Sequence, residues 1–231
     1  MIFLTGATGH TGSYVARRLI ARGESIRCLS HNPTHRKYLP AQAEIVDGDV
    51  MDVEVVGGVM RDASACLHLA HIRYAPFAIE ACRRAGVSRF ICLSSTRRYT
   101  RFPCESSRAV IEGEAAVEAS GLDWTIMRPS MIYGDVRDNN LQRIVEWFHR
   151  RRWFPLVRGG QQLVQPVFVE DVAKVVVDSI DLPRAIHRSY TLAGPEAFPF
   201  KSMIEQVAQM AGVWAVFVPL PYAGALVASA A

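Results

Sequence analysis

Three glycines spaced three residues apart, Gly6, Gly9 and Gly12, follow the apolar run Met1–Thr5. Tyr14, Val15, Leu19 and Ile20 then recur at helical spacing as far as Gly23. A strand, a glycine loop and a helix in this order suit a pyrophosphate. Gly6 permits the tight turn, Gly9 lets the backbone approach the phosphates, and Gly12 lets the helix pack closely on the strand. The helix start offers backbone N–H groups and a partial positive charge to an anion. Thr8, His10 and Thr11 fill the loop and are assigned to the same site.

The end of the second strand discriminates between dinucleotides. An NAD site places Asp or Glu there to accept from the ribose hydroxyls. This chain has Ser30-His31-Asn32, with Arg36 and Lys37 one turn further on. An uncharged or basic surround tolerates a 2′-phosphate, so the reading favours NADP, with NAD as the alternative. His31 reads equally well as a solvated loop histidine.

Other constellations offer less. His31 and His35, and His68 and His71, are close in sequence. Neither pair has a Cys or carboxylate to complete a metal set, so no metal is expected. There is no Gly-x-Ser-x-Gly elbow. None of the five cysteines forms a Cys-x-x-Cys, and Cys28, Cys66 and Cys92 fall in apolar runs. They read as core residues in a reducing, cytoplasmic compartment. Glu170-Asp171 reads as N-terminal charge on a helix. Trp147, Phe148, Trp153 and Phe154 read as packing residues.

Elements that position these groups alternate along the chain. Strands are expected at Ser25–Ser30, Ala43–Val46, Ala63–Ala70, Arg89–Ser94 and Trp124–Arg128. Helices are expected near Asn32-Pro33-Thr34, over Pro76–Ala85 and over Ser106–Ser120. Such alternation implies right-handed crossovers and a parallel sheet. The fold class is α/β, a doubly wound parallel sheet (Rossmann fold) with a small C-terminal lobe. No linker interrupts residues 1–231, so one domain is expected, with the lobe beginning near residue 134.

Half of the 231 residues are hydrophobic and 21% are charged, which excludes disorder and a disulfide-dense miniature fold. The net charge of +4 is not gathered into one stripe, and the Arg150-Arg151-Arg152 run reads as a solvated helix end. No nucleic-acid partner is expected. Strand-like sequence from residue 1 argues against a signal peptide. Residues 213–231 carry no charge, but Pro219 and Pro221 interrupt them. A buried strand over Ala215–Val218 and a packing helix are expected there, not a membrane span.

The glycine loop Thr5–Gly12, Gly48-Asp49, Leu93-Ser-Ser-Thr96, Arg128-Pro-Ser130, Tyr133-Gly134 and Pro166–Ala173 occur in one order. Together they resemble the extended and atypical short-chain dehydrogenase/reductases. The nearest branch is that of NAD(P)H-binding proteins related to NmrA-like regulators and to an accessory subunit of respiratory complex I. The resemblance implies that Asp49 and the backbone of Val50 meet the adenine, and that Leu69, Ala70 and His71 line the nucleotide. It also implies that Ser94 and Pro129 flank the nicotinamide ribose. The lesser alternative for Asp49 is a turn former after Gly48, and for Pro129 a strand terminator.

Redox members of this superfamily use a Ser or Thr with Tyr-x-x-x-Lys, whose ammonium lowers the phenol pKa. Of 26 basic residues only three are lysine: Lys37, Lys174 and Lys201. Four residues after the seven tyrosines come Arg18, Gln42, Ala78, Pro103, Arg137, Gly194 and Leu226, so no such pair exists. The usual positions correspond to Ser106 and Val110. Ser95 matches the polarising serine, and Tyr99 a tyrosine kept beside the substrate, with Arg97, Arg98 and Arg101 around it. Ser95 reads equally as strand-end packing. Two functions follow: an NADP-dependent reductase or epimerase-like enzyme working on an unknown small molecule held by Ser95, Tyr99, His71 and the lobe, or a non-catalytic dinucleotide-binding sensor or assembly factor. A homodimer is left open.

Overall fold

The computed structural model describes residues 1–220. They fall into two compact units: residues 1–130 with 169–192, and residues 131–168 with the chain from Ala193 onward.

In the first unit the elements alternate as the apolar periodicity requires. They are β1 (Ile2–Thr5), α1 (His10–Ala21), β2 (Ile26–Ser30), β3 (Glu44–Asp47), α2 (Val53–Met60), β4 (Ala65–His68), α3 (Ala75–Ala85), β5 (Arg89–Leu93), α4 (Glu105–Glu118) and β6 (Asp123–Pro129). Seven strands form one sheet in the order β11-β6-β5-β4-β1-β2-β3, where β11 is Arg188–Leu192. Every pairing is parallel. The strand order reverses direction between β1 and β4, which opens a crevice at their carboxyl ends. This is the doubly wound sheet that the sequence implies.

Parallel strands buried on both faces read as apolar runs. Phe3, Cys66, Phe90, Cys92 and Ile126 pack with Val56, Met60, Ile79 and Val110 from α2, α3 and α4. Alternation turns Leu4, Leu67 and Ile91 to the other face, where α1 packs against α6 (Val169–Asp178). Each buried Leu, Ile or Phe contributes about 1.5–3 kcal/mol. Burial pushes the Cys28 thiol up to about 12, and a hydrogen bond with Cys82 together with burial raises Cys66. Both behave as apolar groups. Arg89 is buried and donates to the carbonyls of Asp123, Ser179 and Ile180 at 2.6, 2.6 and 3.1 Å. It thereby fastens the residues just after α6 to the sheet. Glu170 and Asp171 lie in the first turn of α6.

Two expectations are corrected in detail. The helix α2 lies where the sequence showed none. The fourth strand ends at His68, so Leu69 and Ala70 belong to the loop after it.

The second unit contains β7 (Ile132–Tyr133), α5 (Leu141–Arg150), β8 (Trp153–Val157), β9 (Leu163–Val164), β10 (Val167–Phe168), β12 (Phe198–Pro199), α7 (Phe200–Met210) and β13 (Val216–Leu220). Three two-stranded ladders join β7 to β10, β8 to β13 and β9 to β12. Phe148, Met203, Ile204 and Val207 form its core, with Trp147 and Phe154 packed against them. Arg150, Arg151 and Arg152 are exposed at the end of α5. The strand expected at Ala215–Val218 exists but is not buried. Val216 and Val218 are exposed, and among the described residues β13 pairs with β8 alone. The helix expected after it lies outside the described residues. Among the described residues no helix is long and apolar enough to cross a membrane.

Candidate functional site

The turn from β1 into α1 shows what each glycine does. Gly6 has a φ of +69°, and a Cβ there would lie 2.3 Å from the backbone nitrogen of Ala70. The turn is left-handed, and the chain leaving β4 also runs across it. Gly12 is buried, and its Cβ would lie 2.1 Å from the Gly6 carbonyl oxygen. Gly9 differs. It is exposed, has a φ of −69°, and a Cβ would meet only the Gly6 oxygen, at 3.2 Å. Packing demands glycine at 6 and 12, but very little in the protein demands it at 9. Gly9 precedes α1 without a side-chain cap, so the helix start is presented to an incoming group.

A cleft of about 170 Å³ opens beside this turn, at the carboxyl ends of β1, β2 and β3. It gathers Gly6, Thr8, His31, Asp49, Val50 and Ala70, together with Thr5 and Gly48, which stood in the motifs but were not assigned to the site, and Leu29 and Tyr74, which the sequence did not single out. Asp49 Oδ1 accepts from the Met51 N–H at 2.9 Å, so this carboxylate also shapes its own turn. Ser30 and Asn32 are turned to local structure. The Ser30 hydroxyl donates to the Asn32 carbonyl at 3.2 Å, and Asn32 Oδ1 accepts from the N–H and hydroxyl of Thr34. Arg36 is ion-paired with Asp47, which stands opposite Ser30 in the β2–β3 register. The acid absent from the end of β2 therefore has a counterpart at the end of β3, already neutralised. Thr11 is buried in α1, and His10 stacks edge-on against Tyr14 at 5.8 Å.

Beneath the loop, the Thr5 hydroxyl and His68 Nδ1 form a 2.7 Å hydrogen bond. Burial lowers the His68 pKa to about 4, so the ring is neutral at pH 7. Leu69 N–H donates to the Thr5 carbonyl at 2.9 Å, continuing the β1–β4 ladder. His71 is exposed and accepts at Nδ1 from the backbone N–H and Nε of Arg73, at 3.2 and 3.3 Å. Partial burial, followed by the charges of Arg73 and Arg97, lowers its pKa as well.

The carboxyl ends of β5 and β6 carry a second constellation. Ser95 caps the short turn Thr96–Tyr99 by accepting the Arg97 N–H at 3.2 Å. The carbonyl of Pro129 accepts from the Thr96 hydroxyl at 3.4 Å. Glu114 is fully buried, yet three side chains donate to it. Ser94 donates to Oε1, Arg98 Nη1 to Oε2 at 2.6 Å, and Arg128 through Nε and Nη2 at 2.7–3.1 Å. Burial opposes its ionisation. The hydrogen bonds from Arg128 and Ser94 and the two guanidinium charges outweigh that and hold its carboxyl below the usual range. Arg128 Nη1 is left to donate to the Tyr99 hydroxyl at 3.1 Å and to Ser189 Oγ at 2.7 Å. The resemblance had singled out Arg128-Pro-Ser130 as a motif, but no spacing signalled Glu114. Val110, in the position of the usual lysine, is buried in the core.

The site thus combines a phosphate-sized approach at Gly9, a nucleoside-sized cleft at β1–β3, and a serine and a cation-paired phenol at β5 and β6. All lie along one edge of the sheet. The glycine contacts fit a dinucleotide, since the one glycine that packing leaves open is the one a pyrophosphate would crowd. Among the described residues no group of three or more His, Cys, Asp or Glu is arranged to hold a metal ion.

The comparisons agree with that reading. The model of an NAD(P)H-binding family matches residues 6–183. The mitochondrial NADH dehydrogenase [ubiquinone] 1 alpha subcomplex subunit 9 of Arabidopsis thaliana is 27% identical over 239 residues, which cover 94% of this chain and 59% of that protein. The chain therefore spans little more than half the length of that relative. The (4-alkanoyl-5-oxo-2,5-dihydrofuran-3-yl)methyl phosphate reductase of Streptomyces griseus is 28% identical over 219 residues, 92% of this chain and 74% of the reductase. In fold, the UDP-glucose 4-epimerase of Thermotoga maritima superposes with a TM-score of 0.81 at 17% identity, over 96% of this chain and 87% of the epimerase.

Proposed function

The chain belongs to the NAD(P)H-binding family, in its atypical short-chain dehydrogenase/reductase branch, and from that premise we propose that it is an NADPH-dependent oxidoreductase acting on a small carbonyl or quinone. One observation carries the proposal: the Tyr99 hydroxyl is held by Arg128 at 3.1 Å, and the same Glu114 that orients Arg128 also accepts from Ser94. A proton donor and a strand-end serine thereby share one rigid support.

When bound, NADPH would supply the hydride, to the carbon of a carbonyl acceptor or to one oxygen of a quinone. Tyr99 donates its proton to the acceptor oxygen as negative charge develops there, and the product leaves as the alcohol or hydroquinone. Water returns a proton to Tyr99. Arg128 takes the place of the usual lysine as a fixed cation that orients the Tyr99 hydroxyl by a hydrogen bond, without shuttling protons. Ser95 polarises the acceptor oxygen. Gly9 and the start of α1 hold the pyrophosphate, Asp49 and Val50 the adenine, and Ser94 and Pro129 flank the nicotinamide ribose. NADPH is preferred to NADH because the end of β2 carries no acid and Asp47 is neutralised by Arg36.

A second reading, a dinucleotide-binding subunit or sensor without turnover, is favoured by the missing lysine and by the likeness to a respiratory-complex subunit. Single-turnover oxidation of bound NADPH by a panel of quinones and carbonyl compounds separates the two. Tight binding without oxidation by any acceptor favours the second.

A further inference from the structure

We propose that the arginines around the turn after β5 form a site for an anionic group, a phosphate or a carboxylate, carried by the substrate. The proposal deepens the oxidoreductase reading and rests on it. Arg73, Arg97 and Arg101 are exposed, and none of them has a carboxylate within ion-pairing distance among the described residues. Two acids of α4 are already committed elsewhere. Glu114 is shared by Arg98 and Arg128, and Glu118 lies 3.9 Å from Arg128.

Two of the three arginines are oriented. Arg97 Nη1 donates to Ser106 Oγ at 3.0 Å, and its backbone N–H is fixed by Ser95. Arg73 is held through Nε by His71 Nδ1. The turns that carry Arg73 (Ile72–Tyr74) and Arg97 (Thr96–Tyr99) both pack against α4, and the charges of both arginines act on His71. His71, at the end of β4, and Ser95, at the end of β5, were both singled out for the reaction centre. A rim of like charge without direct ion pairs raises the local potential, and an anion there gains from several charge-assisted hydrogen bonds at once.

The anion is not the cofactor's own 2′-phosphate. Ser30 closes β2 and Leu93 closes β5, and the sheet order places three strand spacings, about 14 Å, between them. Nor do these charges make a stripe for a polyanion. Arg73 and Arg97 stand on two short turns at one edge of the sheet, and Arg101 lies just past the second.

The test uses the full chain saturated with NADPH, with NADPH binding followed separately by its fluorescence. Inorganic phosphate and acetate are titrated in by calorimetry. The expected result is saturable binding of at least one, the tighter identifying the group. Arg97→Gln and Arg73→Gln should each weaken it about five- to tenfold, while NADPH affinity and the circular dichroism spectrum are unchanged. Arg61→Gln, a control at the end of α2, should have no effect. Absence of saturable phosphate and acetate binding to the NADPH complex would overturn the proposal. So would equal loss in the control, or capture of an oligonucleotide by the same arginines in place of either small anion. Failure of NADPH to be oxidised, with anion binding intact, removes the oxidoreductase reading alone.

Discussion

Arg128 donates through Nη1 to the hydroxyl of Tyr99 at 3.1 Å, while its Nε and Nη2 are fixed on the buried carboxylate of Glu114. One guanidinium thus faces the buried Glu114 with one edge and the Tyr99 hydroxyl with the other. That division of labour lets a chain without a usable lysine present a cation to a phenol. It also makes the pair structural: a change at Arg128 strips a buried carboxylate of its main partner as well as releasing Tyr99.

Stability should therefore respond asymmetrically. Arg128→Ala leaves Glu114 buried with only Arg98 and Ser94, and should cost about 3–5 kcal/mol. The double change Arg128→Met with Glu114→Leu should recover most of that loss, since no buried charge remains. Urea unfolding midpoints check this. Equal destabilisation by the single and double variants would show that packing, not charge, holds this corner.

The glycine loop separates binding from folding. Gly9→Asp should leave the thermal midpoint within a degree or two, because the site is exposed and its Cβ meets only the Gly6 oxygen. It should lower NADPH affinity at least about 100-fold, by placing a carboxylate against the phosphates. Gly12→Ala should do the reverse of a clean binding mutant and destabilise the fold by about 2 kcal/mol or more, through a methyl group 2.1 Å from a carbonyl oxygen. Calorimetry and NADPH fluorescence on the two variants distinguish the effects.

His68 predicts an acid transition. Its folded pKa, about 4, lies below the ordinary value of 6.5 because burial disfavours the charged ring. A folded-state pKa below the unfolded one means that stability is fully present above about pH 6.5. It is lost progressively as the pH falls toward 4, by on the order of 3 kcal/mol. Glu114, also lowered, adds its own loss below the usual carboxylate range. Urea midpoints between pH 7 and 4 should fall steeply for the native chain and more shallowly for His68→Asn.

Much of this architecture was legible in the sequence, for reasons that differ by element. The glycine loop announces itself because steric demands at Gly6 and Gly12 leave one residue type. The strands β2, β3, β5 and β6 lie within one or two residues of expectation, because each carries a short apolar stretch bounded by polar residues, even in β3, whose Glu44 and Asp47 are exposed at the sheet edge. The helix α2 was hidden by Val53, Val55 and Val56 with Gly57 and Gly58, all weak helix formers. Packing overrides that propensity: Gly57 lies against α3, where a Cβ would be 3.2 Å from Arg84 Cβ. The cleft residues Leu29 and Tyr74 were missed because only the sheet order brings their segments together. Glu114 and Arg128 are 14 residues apart on a helix and a strand, and no spacing rule links them. The exposed face of β13 was read as buried because valines alone do not say whether a neighbouring strand covers them.

The measurement that bears most directly on the central claim is stopped-flow oxidation of bound NADPH by the best quinone or carbonyl acceptor, run on the native chain and on Tyr99→Phe. If Tyr99 supplies the proton, the variant should bind NADPH as tightly as the native chain, yet oxidise it about 100-fold or more slowly. Equal rates would contradict the assignment of Tyr99. Tight binding with no oxidation in either protein would contradict the oxidoreductase itself.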